Sequence, residues 1–374
     1  MLRRRLGTPA LATLVGALAM PAGCGSTTSL TVKAVAVSTQ APSNVAVHLK
    51  VTQPEGATAT LLASDFVVEE DGKAIPAKKL RRALLPSSLV VDRYVMLVVD
   101  LSGPLVDSEY LSTFHDVVAS FSERAGLDSH LALSAFDGDG LKPFIGFDAT
   151  ELKPGLSAMR KFRPHNRTVD IYGAYIAALD ELDAAAKAST AAEHTSTLVF
   201  VTDRRDKAGK HTLDEANNRL QASPADVYVL GLGDAINRDE LMRLGRPDAF
   251  FVEKFRDLGK PFNQAADRIE SKRSEDYVFS YCSQVKPGKK GTKHKLELEI
   301  ESKKWSGSTS TTFSSKSFTK GACDPRQKVS FGGGGGGDEG GAASDGGGDD
   351  SSVKKSKKKK RRTDEEQAEG EPAE

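Results

Sequence analysis

The stretch "YVMLVVDLSGP", residues 94–104, is an apolar run that ends in an acid, a hydroxyl and a proline. A run of this length is typical of a strand that is buried on both faces of a parallel sheet. Ligands bind at the carboxyl ends of the strands in open α/β sheets. The stretch therefore predicts an α/β fold, and it places Asp100 and Ser102 where a ligand can reach them.

Strands and helices are predicted to alternate over residues 93–272. Apolar runs like the first occur at "LALSAF", "STLVFVTD", "DVYVLGLG" and "AFFVE", and "KPFIGF" predicts a short edge strand. Helical spacing separates them at 107–124, 172–187, 212–221 and 255–272. This alternation predicts a Rossmann-like α/β domain, in which a mostly parallel sheet is flanked by helices.

The two segments that flank this domain have a different period. Residues 29–90 and 275–325 contain stretches that alternate apolar and polar residues, such as "NVAVHLKV" and "HKLELEIE", and this period of two predicts strands. Neither flank has enough strands to bury two sheet faces by itself. We therefore predict one small β-sandwich, built from both flanking segments, into which the α/β domain is inserted.

The N-terminal segment 1–24 is typical of a bacterial export signal. Three arginines precede a short apolar stretch, and small residues lead to Cys24. The ending "PAGC" resembles a lipobox, which implies a lipid on Cys24; ordinary cleavage near Ala22 is the alternative. Because Gly25 is not the aspartate that commonly retains lipoproteins at the inner membrane, we expect an exported, membrane-anchored lipoprotein at the outer membrane or cell surface.

The other two cysteines are expected to form a disulfide. Cys282 and Cys323 flank a strand-rich segment, and an exported protein folds in an oxidising compartment. A bond between them would join the two ends of that segment. A pair of free buried thiols is the alternative.

The C-terminal segment 330–374 has the composition of a disordered tail. A glycine run is followed by the basic stretch Lys354–Arg362 and by an acidic end, and such a segment has little apolar surface to bury. The basic stretch is either a solvated run or an arm that binds anionic polymer. The formal net charge of +1 gives no general attraction to nucleic acid, and no specific nucleic acid is expected as a partner.

Three motifs resemble the von Willebrand factor A (VWA) family. They are "VMLVVDLSGP", "TVDIYGAYIAAL" and "LVFVTD", in the family's order, and the resemblance covers roughly residues 93–272. The chain is similar to bacterial lipoproteins that contain such a domain. The resemblance implies a metal-ion-dependent adhesion site, in which a D-x-S-x-S motif, a threonine and an aspartate from three loops hold a metal that captures an acidic group of a partner.

The metal site implied by the resemblance is degenerate. Asp100 and Ser102 match the first motif and Asp203 matches the third, but Pro104 replaces the second serine and offers no side-chain oxygen. A site of carboxylate and hydroxyl oxygens would take Mg²⁺ or Mn²⁺.

The threonine of the second motif is ambiguous. Alignment on "DIYGA" places Val169 at that position, and Thr168 lies one residue earlier. Because Pro104 and Val169 take the positions of two hydroxyl ligands, we favour a site without a metal, in which an arginine neutralises the aspartates. Mg²⁺ or Mn²⁺ bound by Asp100, Ser102, Thr168 and Asp203 is the alternative.

No enzyme is expected. The sequence has no HExxH motif, no phosphate-binding P-loop, no G-x-S-x-G and no complete dinucleotide fingerprint. The resemblance instead implies a domain that mediates protein–protein interaction or adhesion, with an envelope or extracellular protein as its partner. The second hypothesis is a structural envelope lipoprotein that associates with anionic surface polymer through Lys354–Arg362.

Overall fold

A computed structural model describes residues 27–54, 59–191, 193–287 and 292–331. The predicted export signal with Cys24 and the basic stretch Lys354–Arg362 lie outside the described residues. Within the described ranges, no helix is long and apolar enough to cross a membrane.

The described residues form fifteen strands and six α-helices. The first flank contributes β1 Thr28–Ser29, β2 Thr31–Gln40, β3 Asn44–Thr52, β4 Phe66–Glu70, β5 Lys73–Ala74 and β6 Arg82–Leu85. The central segment contributes β7 Val91–Asp100, α1 Leu111–Ala125, β8 His130–Asp137, β9 Gly140–Ile145, α2 Lys153–Lys161, α3 Ile171–Lys187, β10 Glu193–Thr202, α4 Leu213–Ala222, β11 Asp226–Leu232, α5 Arg238–Leu244, β12 Pro247–Val252 and α6 Gly259–Arg273. The second flank contributes β13 Asp276–Cys282, β14 Lys293–Glu301 and β15 Trp305–Ser314.

The central segment forms a six-stranded sheet in the order β12-β11-β10-β7-β8-β9. All neighbours are parallel except β9, which pairs antiparallel with β8 at one edge. The strand order reverses between β7 and β10, which places the topological switch point of the sheet at the carboxyl ends of these two strands. The predicted Rossmann-like α/β domain, with a mostly parallel sheet, is confirmed.

Strand β7 forms because its side chains are buried on both faces of this sheet. Val95, Leu97 and Val99 pack into a core with α1, α2 and α6, whereas Met96 and Val98 pack into a core with α3, α4 and α5. Burial of such a side chain contributes about 1.5–3 kcal/mol. The strand is therefore fixed along its length, and its carboxyl end is a rigid place for Asp100.

The flanks form two further sheets that face each other. One has the order β1-β15-β14-β4-β5 and the other has the order β2-β3-β13-β6. Their inner faces share a core in which the rings of Phe66 and Phe279 stack at 4.5 Å. Because β13 and β14 of the second flank lie inside the two sheets, neither flank forms the sandwich by itself, as predicted.

A buried ion pair lies where the chain passes between the sandwich and the α/β domain. Arg93 of β7 contacts Asp276 of β13 with 2.8 Å between Nη2 and Oδ2, and both side chains are 7% exposed. Val91 begins β7 shortly after the sandwich strand β6, and β13 begins shortly after α6 ends. The pair therefore bridges the two places where the chain crosses.

A disulfide joins Cys282, at the end of β13, to Cys323, beyond β15, with a Cα–Cα distance of 5.8 Å. The predicted pairing is confirmed. It connects an interior strand of one sheet to the segment that follows the other sheet.

Replacing both cysteines with serine should destabilise the sandwich. The bond closes a loop with a sequence separation of 41 residues, for which the chain-entropy relation gives about 4 kcal/mol. We expect this loss in the free energy of unfolding, measured by urea denaturation of the double variant beside the oxidised protein. Coincident denaturation curves would show that the bond does not stabilise the fold.

Candidate functional site

Two buried carboxylates lie at the point where the strand order reverses. Asp100 is the last residue of β7, and Asp203 directly follows the neighbouring parallel strand β10. Each is 2% exposed. The parallel register brings the ends of both strands to the same edge of the sheet, so two residues about a hundred positions apart meet there.

Hydrogen bonds surround the carboxylate of Asp100. Its Oδ1 accepts from the backbone N–H of Ser102 at 2.9 Å and from the hydroxyl of Ser102 at 2.5 Å. Its Oδ2 accepts from the hydroxyl of Thr202 at 2.8 Å. Ser102 and Thr202 are themselves at most 1% exposed. These hydroxyls therefore act inside the domain, where they stabilise the carboxylate and fix the loop after β7.

Asp203 is held against the same loop, but one of its oxygens has no partner. Its Oδ2 accepts from the backbone N–H of Leu105 at 2.6 Å, whereas Oδ1 has no hydrogen-bond partner among the described residues. A Cβ atom at Gly103 would lie 1.6 Å from that Oδ1. A side chain at position 103 would therefore displace the carboxylate of Asp203 from this position.

Arg204 bridges the loops around the two aspartates. Its guanidinium donates through Nη2 to the carbonyl of Ser102 at 2.5 Å and through Nη1 to the carbonyl of Arg167 at 2.9 Å. Its Nε lies 3.9 Å from Oδ1 of Asp203, and this N–H has no hydrogen-bond partner in the described part of the chain. One fixed cation thus joins the loop after β7, the loop before α3 and the loop after β10.

Burial raises the pKa of both carboxyl groups. For Asp100 it outweighs the hydrogen bonds from Ser102 and Thr202 and the charge of Arg204, which favour the ionised form. For Asp203, burial and the nearby charge of Asp100 raise the pKa to about 7, against the hydrogen bond from Leu105 and the charge of Arg204. A single guanidinium does not balance two buried carboxylates, so Asp203 takes up a proton near neutral pH.

The remaining residues do not complete the family's metal site. Thr168 is exposed, and its backbone N–H donates to the Asn166 side chain; Val169, which takes the aligned position, is fully buried and apolar. Pro104 offers no oxygen ligand. Of the predicted residues, the structure brings together Asp100, Ser102 and Asp203.

The donor set therefore does not fit an octahedral Mg²⁺ or Mn²⁺ ion. The Ser102 hydroxyl already bonds to Asp100, and the guanidinium of Arg204 lies close to Asp203. The positive charge that joins these loops is the guanidinium of Arg204.

The same edge of the sheet carries exposed basic side chains. Arg205, Lys207 and Lys210 follow Arg204 and are exposed; we call these three the basic rim. Several carboxylates of the surrounding loops are used within the domain: Asp206 accepts from the backbone N–H groups of Ile171 and Gly209, for example. Because its three side chains are exposed, the rim presents positive charge to solvent.

A second group of potential ligands lies far along the chain from these motifs. His48, Glu193 and Asp276 each offer one ligand atom, and the three atoms lie within 4.8 Å of one another. Sequence reasoning missed this group because its members are separated by more than eighty positions.

At the carboxyl edge, sequence reasoning also missed the hydrogen bond from the Leu105 N–H to Asp203, because it depends on the path of a loop. Arg204, directly after Asp203, is the signal in the sequence that indicates a cation at the carboxyl edge.

Comparison with known proteins gives structural matches alone. The chain matches no protein-family model and no curated protein. A crystal form of proximal thread matrix protein 1 from the mussel byssus is 15% identical, with 48% of each chain covered and a TM-score of 0.41. The same protein with a zinc-occupied metal-ion-dependent adhesion site is 15% identical over 53% of this chain and 49% of its own, with a TM-score of 0.40.

A third match is a von Willebrand factor type A protein from Catenulispora acidiphila, 11% identical over 78% of this chain and 74% of its own, with a TM-score of 0.39. The chain spans about half the length of the mussel protein. Similarity this low transfers no ligand or partner from these proteins. The structural class of this chain is defined by its own strand order. It is a Rossmann-like α/β domain that is inserted into a β-sandwich built from both flanking segments, with an arginine beside two buried aspartates at its switch point.

The stability of the domain should depend on the titration of Asp203. Because its pKa of about 7 in the folded state lies above the ordinary value of 3.8, the folded state binds a proton that the unfolded state does not hold between these values. The free energy of unfolding should therefore rise as the pH falls from about 8 to about 4, by a few times the roughly 1.4 kcal/mol that one pKa unit represents.

The measurement is urea denaturation across this pH range for the natural protein, for Asp203→Asn and for Glu109→Gln, an exposed carboxylate nearby. Asp203→Asn should remove this part of the pH dependence and be the more stable protein at pH 8, whereas Glu109→Gln should follow the natural protein. A pH dependence that is unchanged in Asp203→Asn would contradict the assignment.

Proposed function

We propose that the protein is a non-enzymatic, lipid-anchored protein of the cell envelope whose α/β domain binds another protein. The binding surface is the carboxyl edge of the sheet, where Arg204 and the basic rim lie. The observation that supports this proposal most is the guanidinium of Arg204, which joins three loops through the carbonyls of Ser102 and Arg167. A binding edge that is held in this way is preorganised without a metal ion.

The chemistry of this edge favours an acidic partner segment. In the family that the motifs resemble, a bound metal captures an acidic group of the partner. Here, fixed and exposed cations occupy the corresponding edge, and guanidinium groups pair with carboxylates in two-pronged hydrogen bonds. Attraction by the basic rim would also speed the encounter with a negatively charged protein. We therefore propose that the partner presents Asp or Glu side chains.

The buried hydroxyls and carboxylates support a role without catalysis. The Ser102 hydroxyl is fully buried and donates to Asp100, so it is not placed to attack a substrate. Thr202 is engaged with the same carboxylate. The polar groups of the site are thus used to hold loops together.

The proposed location rests on the N-terminal sequence. We propose that the signal in 1–24 is cleaved before Cys24 and that a lipid on this cysteine holds the protein at the outer membrane or cell surface. The disulfide between Cys282 and Cys323 agrees with export, because such bonds persist in oxidising compartments.

A second candidate function rests on the basic stretch Lys354–Arg362. It contains eight Lys and Arg residues in nine positions, a density that binds anionic polymers with strong salt dependence. In this case the protein would be a structural envelope lipoprotein, and the α/β domain would not contribute the contact.

Charge reversal on the basic rim separates the two candidates. We expect chemical crosslinking in envelope fractions to join the natural protein to a discrete acidic partner, identified by mass spectrometry. The variant Arg205→Glu/Lys207→Glu should reduce this product about tenfold, because like charges would then oppose each other across the interface. Raising the salt concentration should weaken the natural complex as well.

The matched control is Lys303→Glu/Lys304→Glu, which changes the net charge equally on exposed residues of the sandwich. It should leave the crosslinked product unchanged, and so should removal of residues 351–374. Equal loss in both charge-reversal variants would contradict a specific role of the rim. Loss of envelope association on removal of the tail, with no effect of the rim, would favour the second candidate.

A further inference from the structure

We propose that the protein has a binding site for a divalent transition metal at the junction between the sandwich and the α/β domain. The ligands are His48, Glu193 and Asp276, and Zn²⁺ is the representative ion. This site lies apart from the aspartates at the carboxyl edge, and it is independent of the proposed partner binding.

Strand pairing places two of the ligands side by side. His48 of β3 pairs with Val278 of β13, so Asp276, two residues earlier on β13, is its diagonal neighbour on the same face. The distance from Nε2 of His48 to Oδ1 of Asp276 is 3.0 Å. Nitrogen and oxygen ligands at tetrahedral angles around zinc lie about 3.4 Å apart, so a small displacement of the side chains admits the ion.

The third ligand comes from the inserted domain. Glu193 is the first residue of β10, and its backbone N–H donates to the carbonyl of Val90 at the start of the domain. Its ligand oxygen lies within 4.8 Å of the ligand atoms of His48 and Asp276. Glu193 is only partly buried, which leaves one side of the group open for a water molecule as a fourth ligand.

Arg93 orients the carboxylate of Asp276. Its guanidinium contacts Oδ2 at 2.8 Å, which leaves Oδ1 directed towards His48. Carboxylates that bind metals commonly accept such a hydrogen bond from a second residue, which fixes their orientation. The ion pair is itself buried, so the carboxylate is already held in place before an ion arrives.

The ligand set selects the class of metal. One imidazole nitrogen with two carboxylates suits Zn²⁺ and its transition-metal neighbours, whereas Mg²⁺ and Ca²⁺ prefer sites made of oxygen alone. Of the three ligands, Asp276 borders a cleft of about 190 Å³ between the two parts of the molecule, whereas His48 and Glu193 do not line it.

A metal at this place would connect strands of both parts. His48 and Asp276 belong to two strands of the sandwich, and Glu193 belongs to the neighbour of β7 in the α/β sheet. The ion would therefore join the inserted domain to the sandwich beside both chain crossings. Its binding should stabilise the junction, because an ion that binds the folded state alone raises stability by mass action.

The test is calorimetric titration of Zn²⁺ into the untagged full-length chain, beside Mg²⁺. We expect saturable binding of one Zn²⁺ and a higher melting temperature with the ion, and no comparable effect of Mg²⁺. Glu193→Gln and His48→Gln should each weaken Zn²⁺ binding at least about tenfold. Glu193 is partly exposed at a strand end, so this variant tests the site even if His48→Gln does not fold.

The matched control is His294→Gln. His294 forms another pair of histidine and aspartate in the sandwich, with 2.7 Å between Nδ1 and Oδ2 of Asp71, and it is outside the three-ligand group. This variant should bind Zn²⁺ as the natural protein does. Zn²⁺ binding that is absent from the natural protein, or equally strong in Glu193→Gln, would overturn the proposal and leave the group as an ion-paired contact between the domains.

Discussion

Asp100 and Asp203 place two carboxylates inside the molecule at the ends of adjacent parallel strands, and the neighbouring loops offset part of the cost of burying them. Removing an ion from water costs several kcal/mol unless hydrogen bonds and opposite charges offset it. Ser102 and Thr202 supply hydroxyls to one carboxylate, and the Leu105 N–H donates to the other. The guanidinium of Arg204 adds the fixed positive charge. These contacts hold the three loops together at the carboxyl edge.

The fold could be predicted because its signals are local. Burial on both faces of β7 leaves an uninterrupted apolar run in the sequence, and exposure of one sandwich face leaves a period of two. Helices α2 and α5 are not predicted from the sequence, since Lys153–Lys161 and Arg238–Leu244 have only 9 and 7 residues, too few to establish a helical period. The antiparallel direction of β9 was not predicted either, because it depends on a tight connection from β8 and leaves no trace in hydropathy.

The site could be predicted in part. Asp100, Ser102 and Asp203 were found because strand ends are visible in the sequence and parallel strands bring those ends together. The position of Thr168 was not resolved, because a shift of one residue in the loop before α3 decides whether a hydroxyl or the apolar Val169 turns inward. The group around His48 could not be found from sequence, since strand register in the sandwich and the insertion of the domain jointly create it.

An arginine and a metal ion give a binding edge different properties: the metal can coordinate a partner directly, whereas the arginine is a permanent part of the chain. A metal with an open coordination position can take a partner's carboxylate as a direct ligand, and it can be removed by chelation. A guanidinium is always charged and covalently attached, so Arg204 holds the three loops together whatever the metal concentration. The basic rim next to Arg204 extends this surface towards solvent.

The role proposed for Arg204, in place of a metal ion at the carboxyl edge, can be tested by calorimetric titration of Mg²⁺ and Mn²⁺ into the full-length chain and into its Asp100→Ala variant. We expect no saturable binding at millimolar metal that distinguishes the two proteins. Saturable binding to the natural protein that is lost in Asp100→Ala would contradict it, and would show that the aspartates hold a metal despite Pro104 and Arg204.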